Sequence, residues 1–88
     1  MCDDKIKYMQ YIDYLWYEYK KYKETAKQHM FVHLIMYDSK LIPAYNDLQE
    51  NYNKEHAEIF IKIMHKVLKF LGVKFTSLDE YNHYEGES

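Results

Sequence analysis

Three histidines hold most of the metal-ligating potential in this sequence. His29 and His33 are spaced i, i+4, so on a helix their imidazoles share one face. His56 lies on a later amphipathic stretch beside Glu55 and Glu58. Neutral imidazoles supplemented by a carboxylate oxygen make a transition-metal site. The same side chains can instead bond tyrosine hydroxyls or backbone carbonyls inside a core, and the spacing alone leaves both readings open. Covalent catalysis has weaker material. Cys2 adjoins the start of the sequence, Ser39 and Ser77 stand where helix caps are expected, and glycine occurs only at 72 and 86, so no phosphate-cradling loop is present. The expectation is a protein that is not an enzyme and has no cofactor, with a bound metal as the alternative.

Recognition has richer material. From Tyr8 to Tyr22, ten of fifteen residues are aromatic or aliphatic, too many for one apolar stripe. On a helix Tyr8, Ile12, Leu15, Tyr19 and Tyr22 make a seam with 4-3-4-3 spacing, widened by Met9 and Trp16. Tyr11, Tyr14 and Tyr17 fall on the flanks, whereas an ordinary surface helix is polar outside a stripe of roughly 100°. Phenols can lie along a wet surface with the hydroxyl in water. They are also enriched where proteins bind one another. The expected protein-binding surface is therefore Tyr8, Tyr11, Tyr14, Trp16, Tyr17 and Tyr22, with Tyr8 and Tyr22 at its edges.

Composition narrows the field. A hydrophobic fraction of 48% with 30% charged residues, two Gly and one Pro favours one folded helical domain over residues 1–88 rather than disorder. The net charge of −2 disfavours electrostatic capture of nucleic acid, and all 12 basic residues are Lys, so the bidentate Arg readers of guanine and phosphate are missing. Lys20, Lys21, Lys23 and Lys27 alternate with Tyr19 and Tyr22, but Glu18 and Glu24 interrupt that patch and make it a solvated face. Lys without Arg is the usage of an AT-rich genome, such as a low-GC bacterium or one of its phages. No apolar run approaches the length of a membrane span, and the opening MCDDKIK is charged where a signal peptide is apolar. A single cysteine forms no internal disulfide. A cytoplasmic protein is expected.

The elements that must position these residues are helices. Asp3 and Asp4 suit an N-cap, and with no Pro or Gly before Ile42 a first helix is expected from about residue 4 to about 37, on the order of 50 Å long. One break is offered by Thr25 and Gln28, which have capping-box spacing. A turn over Tyr37-Asp38-Ser39-Lys40 would place Pro43 in the first turn of a second helix, where its missing N–H costs nothing. Tyr45, Leu48, Tyr52, His56, Ile59, Ile63, Val67 and Phe70 form the seam of that helix, and Gly72 ends it. Ser77 and Glu80 are spaced as a second capping box, predicting a terminal turn or two over Leu78 to Tyr84.

The fold class expected is all-α: a long antiparallel helical hairpin, or a three-helix bundle if the first helix breaks near Thr25, with a short C-terminal helix. A lone hairpin leaves apolar surface in water, so association as a homodimer into a four-helix bundle is also expected. The stretch from Glu55-His56-Ala57-Glu58 to Leu71-Gly72 is similar to a helix of the ferritin-like di-metal carboxylate proteins. That resemblance implies a metal-binding bundle using His29, His33 and His56 with Glu. The Glu-x-x-His motif of that family is absent from both long stretches, its one match being Glu80 to His83. The leading expectation is a small non-catalytic module that binds another protein, as inhibitor or adaptor, through the aromatic surface of the first helix.

Overall fold

Helix α1 spans Cys2–Thr25 in the computed structural model, which describes residues 2–81. Its start at Cys2 puts Asp3 and Asp4 inside the first turn rather than at the N-cap. The chain leaves the helix at Ala26 and Lys27, where Lys27 is extended with φ −73° and ψ 153°. Thr25 caps no second helix; its hydroxyl donates back to the Tyr22 carbonyl at 3.2 Å. One 3₁₀ turn, Gln28–Met30, then leads into helix α2, Phe31–Glu50.

The expected long first helix is therefore two helices, and the three-helix alternative is the one observed. Leu34, Leu41 and Leu48, spaced by sevens on one face of α2, supply the reason. Reversal at Ala26 brings all three into one buried cluster with residues of α1 and α3. Tyr19 of α1 meets Leu34 and Asp38, and Asp13 meets Tyr45 and Gln49, so the two helices run antiparallel.

The turn expected at Tyr37-Asp38-Ser39-Lys40 is interior to α2. Asp38 is occupied elsewhere, accepting from Tyr19 and from Lys23 Nζ at 2.7 Å each. Ser39 donates to the Met36 carbonyl at 2.7 Å, a back-bond that fits a continuing helix. Pro43 accordingly sits inside the helix rather than at its start. The actual reversal comes at 51–53. Asn51 closes α2 through its N–H to the Asp47 carbonyl, and the Asn53 side chain caps α3, Lys54–Phe70, by accepting from the His56 N–H at 3.1 Å. The single seam expected from Tyr45 to Phe70 thus belongs to two antiparallel helices.

Gly72 ends α3 as expected. It adopts φ +79°, and the N–H groups of Gly72 and Val73 return to the carbonyls of Lys69 and Leu68, the paired bonds of a Schellman end. The tail then folds back over α1 and α3. Ser77 Oγ accepts from the Glu80 N–H at 3.3 Å and starts a short helical turn at 78–81; the expected continuation to Tyr84 lies outside the described residues. The core runs through all three helices, with Ile12 and Leu15 of α1, Leu41 and Leu48 of α2 and Phe60, Met64 and Leu68 of α3 in one buried cluster. No strand occurs among the described residues, and none of their helices is long and apolar enough to cross a membrane.

Candidate functional site

The six aromatic residues expected to face a partner are mostly built into the fold. Tyr11 is 0% exposed, and Tyr8, Tyr14, Trp16 and Tyr22 are half-buried against the core. Trp16 stacks on Tyr45 of α2, with ring centroids 4.7 Å apart and planes 7° from parallel. Tyr14 stacks on Tyr81 at 5.3 Å, and its hydroxyl oxygen accepts from the Thr76 N–H at 2.8 Å. Tyr11 donates to the Thr76 carbonyl at 2.7 Å. Two phenols of α1 therefore satisfy both backbone groups of one extended tail residue. Tyr8 donates to Glu58 at 3.2 Å. Tyr17 is the exposed member, 63% accessible, with the Lys21 ammonium 5.4 Å over its ring. Three helices and a tail take up flanks that a two-helix reading left open, which is why these rings turn inward.

The histidines are placed differently from expectation. His29, His33 and His56 are exposed rather than core-facing. His33 packs edge-on against Phe70 at the C-terminal end of α3, while His56 lies 3.8 Å from Asp47 at the N-terminal end. With the reversal at 51–53 instead of 37–40, His33 and His56 stand at opposite ends of α3, about 20 Å apart along it at 1.5 Å per residue. Among the described residues no group of three or more His, Cys, Asp or Glu is arranged to hold a metal; His83 lies outside them.

His65, which is not on the seam read from the sequence, is the histidine that the fold uses. Its Nε2 lies 2.8 Å from the Tyr11 hydroxyl, and its ring stacks on Phe75 at 4.7 Å. Burial, with a smaller contribution from the Lys69 charge, lowers its pKa below the ordinary 6.5. Burial also raises the pKa of Tyr11, with Tyr14 and Glu80 adding to the effect. Tyr19 is raised by burial and then by its bond to Asp38, and Tyr45 is raised to about 12 by burial and then by its bond to Asp13.

The surface left over is aliphatic and belongs to α2. Phe31, Val32, Ile35, Met36 and Ile42 are all exposed, Val32 and Ile35 at 66% and 69%. At 100° per residue they lie, with Ser39, Pro43 and Asn46, on an arc of about 140° that excludes Leu34, Leu41 and Leu48 and is flanked by Asp38 and Lys40. Between Phe31 and Asn46 that side carries no charge, its polar members being Ser39 and Asn46. Asp38 is directed to α1, while Lys40 and Asp47 border a groove towards α3. That groove, of about 180 Å³, is lined by Leu41, Ala44, Ile59, Phe60 and Ile63. Ile59, Ile63 and Phe70 along the adjoining flank of α3 are exposed too. The outer side of α3, by contrast, carries Glu55, Lys62, Lys66 and Lys69. The heptad Leu34, Leu41, Leu48 could have revealed this face in the sequence, because placing it inward sends Val32, Ile35 and Met36 outward.

The fold defines a small three-helix bundle with a folded-back tail. Comparison with known proteins yields no match: no family model fits the chain, and no curated protein or solved structure is significantly similar to it.

Proposed function

We propose that this chain is a small non-catalytic helical module that works by docking on protein, and that its working surface is the outer face of α2 with the adjoining flank of α3. The observation that carries the reading is the uncharged apolar side of α2 between Phe31 and Asn46, opposite a side that already forms the core. A helix apolar on nearly all sides is ordinarily a buried helix. Monomeric proteins seldom keep a patch of this kind in water unless it binds something. Of the aromatic set on α1, Tyr17 is exposed and Tyr11 buried, while Tyr8, Tyr14, Trp16 and Tyr22 are half-buried and also pack on the core.

Ile35→Asp places a charge in the middle of the face at a residue that touches little of the core. It should abolish association while leaving helix content by circular dichroism unchanged. Association that survives Ile35→Asp and Val32→Asp together would overturn this assignment of the surface.

A further inference from the structure

We infer that the occupant of this face is a second copy of the chain, its α2 crossing antiparallel with Ser39 of each copy at the twofold axis. The inference rests on the docking reading and names the partner.

Area is the first argument. Taking ordinary residue areas, the eight exposed apolar residues of α2 and the α3 flank leave on the order of 800 Å² in water, which exceeds the few hundred usual for a monomer's largest patch and matches one partner's share of a standard stable interface.

Charge is the second. The α2 part of the face has no charged side chain, and Lys40 and Asp47, which border the groove towards the α3 flank, are of opposite sign. The face can therefore be laid on itself without massing like charges, whereas the outer side of α3 would bring lysines together. A twofold contact places one patch against itself, so self-compatibility is what it demands.

Shape selects the register. The N-terminal half of the face is bulky, with Phe31, Val32, Ile35 and Met36, and the C-terminal half is slimmer, with Ile42, Pro43 and Asn46. Antiparallel crossing about Ser39 sets Met36 opposite the second copy's Ile42, Ile35 opposite the second copy's Pro43 and Val32 opposite the second copy's Asn46. Ile35 then meets the slimmer Pro43 and Val32 the slimmer Asn46, as close packing requires. Ser39 is the small residue at the centre, and its hydroxyl proton is already engaged by the Met36 carbonyl at 2.7 Å, so its donor is not stranded when water leaves.

The test combines mass with cross-linking. Light scattering across a dilution series should give twice the chain mass of 10.9 kDa, and Ile35→Asp should raise the dissociation constant roughly 100-fold or more, as a central truncation present twice per dimer would. In a Cys2→Ser background, Ser39→Cys should form a disulfide-linked dimer under mild oxidation, whereas Lys20→Cys, on the exposed side of α1, should not. A dimer that persists in both Ile35→Asp and Val32→Lys, or in which the residue 39 thiols stay unlinked, overturns the crossing. A monomer at every concentration overturns the second copy as occupant. If that monomer binds an apolar dye and Ile35→Asp removes the binding, the docking reading stands without this inference; if it binds none, both fall.

Discussion

The Tyr11 hydroxyl and His65 Nε2 lie 2.8 Å apart across a sequence separation of 54 residues. The phenol has one proton and the Thr76 carbonyl, 2.7 Å away, can only accept it. The Tyr11 oxygen therefore accepts from His65, which fixes the hydrogen of the neutral imidazole on Nε2. Tyr11→Phe keeps the ring and strands both the Thr76 carbonyl and the His65 N–H. It should cost about 1–3 kcal/mol in denaturant unfolding, and faster hydrogen exchange in the tail would locate the loss there.

Acid should act through the same histidine. The folded pKa of His65 is depressed, so below its ordinary value the unfolded chain binds a proton that the folded chain resists. Its contribution is fully present above about pH 6.5 and is lost as pH falls through the depressed folded value. Thermal melts of wild type and His65→Gln should accordingly lie a constant interval apart above that pH and converge below it. A constant interval throughout would show that burial does not depress this group.

Alkali tests the opposite face of α1. Tyr45 is bonded to Asp13 at 2.7 Å and its pKa stands at about 12 instead of 10.0. A raised folded pKa contributes stability that is present below the unfolded value and is lost as pH rises through the folded one. Stability should fall between pH 10.0 and about 12, and Asp13→Asn should lower the midpoint of tyrosinate absorbance assigned to Tyr45.

Tyr14 and Tyr17 are neighbours on the flank of α1 with different surroundings. Tyr14 holds the Thr76 N–H and stacks on Tyr81, whereas Tyr17 is exposed beneath Lys21. Tyr14→Ala should destabilise by about 2–4 kcal/mol, within the range for removing a packed, hydrogen-bonded ring. Tyr17→Ala should stay within about 0.5 kcal/mol, as exposed substitutions do. Equal losses in chemical denaturation would contradict these placements.

The all-α class, the Gly72 stop and the Ser77 cap were legible because each depends on local chemistry: 3.6-residue periodicity, a positive φ and a hydroxyl three residues ahead of an N–H. The reversals were harder. Tyr37-Asp38-Ser39-Lys40 has turn-forming residues, but Asp38 is claimed by Tyr19 and Lys23 of another helix, a tertiary bond that no window of sequence contains. Asn53 offered the true cap, yet the apolar spacing runs across it from Leu48 through Tyr52 to Ile59 and hides it. A turn at 37–40 would bring His33 near His56 and turn α2 around. The expected docking face was read from the flanks of α1 alone, and contacts far away in sequence, the tail on Tyr11 and Tyr14 and Tyr45 on Trp16, are what cover them.

Pro43 gives that relocated reversal a measurable sign. In the first turn of a helix its missing N–H has no intrahelical partner, and replacing it would gain nothing and release unfolded-chain entropy. Inside α2 it leaves the Ser39 carbonyl without the N–H of residue 43 and its ring presses on that turn, a defect that costs up to about 3 kcal/mol. Pro43→Ala restores the bond and loses about 1 kcal/mol through the looser unfolded chain. The variant should therefore be more stable by about 1–2 kcal/mol, measured as a higher denaturant midpoint with an unchanged slope at fixed protein concentration. A less stable Pro43→Ala, measured at a dilution where the chain is monomeric so that its contact with a second copy does not contribute, would mean that the helix begins near residue 40 after all. The face from Phe31 to Ile42 would then be divided between two elements and could not act as one surface.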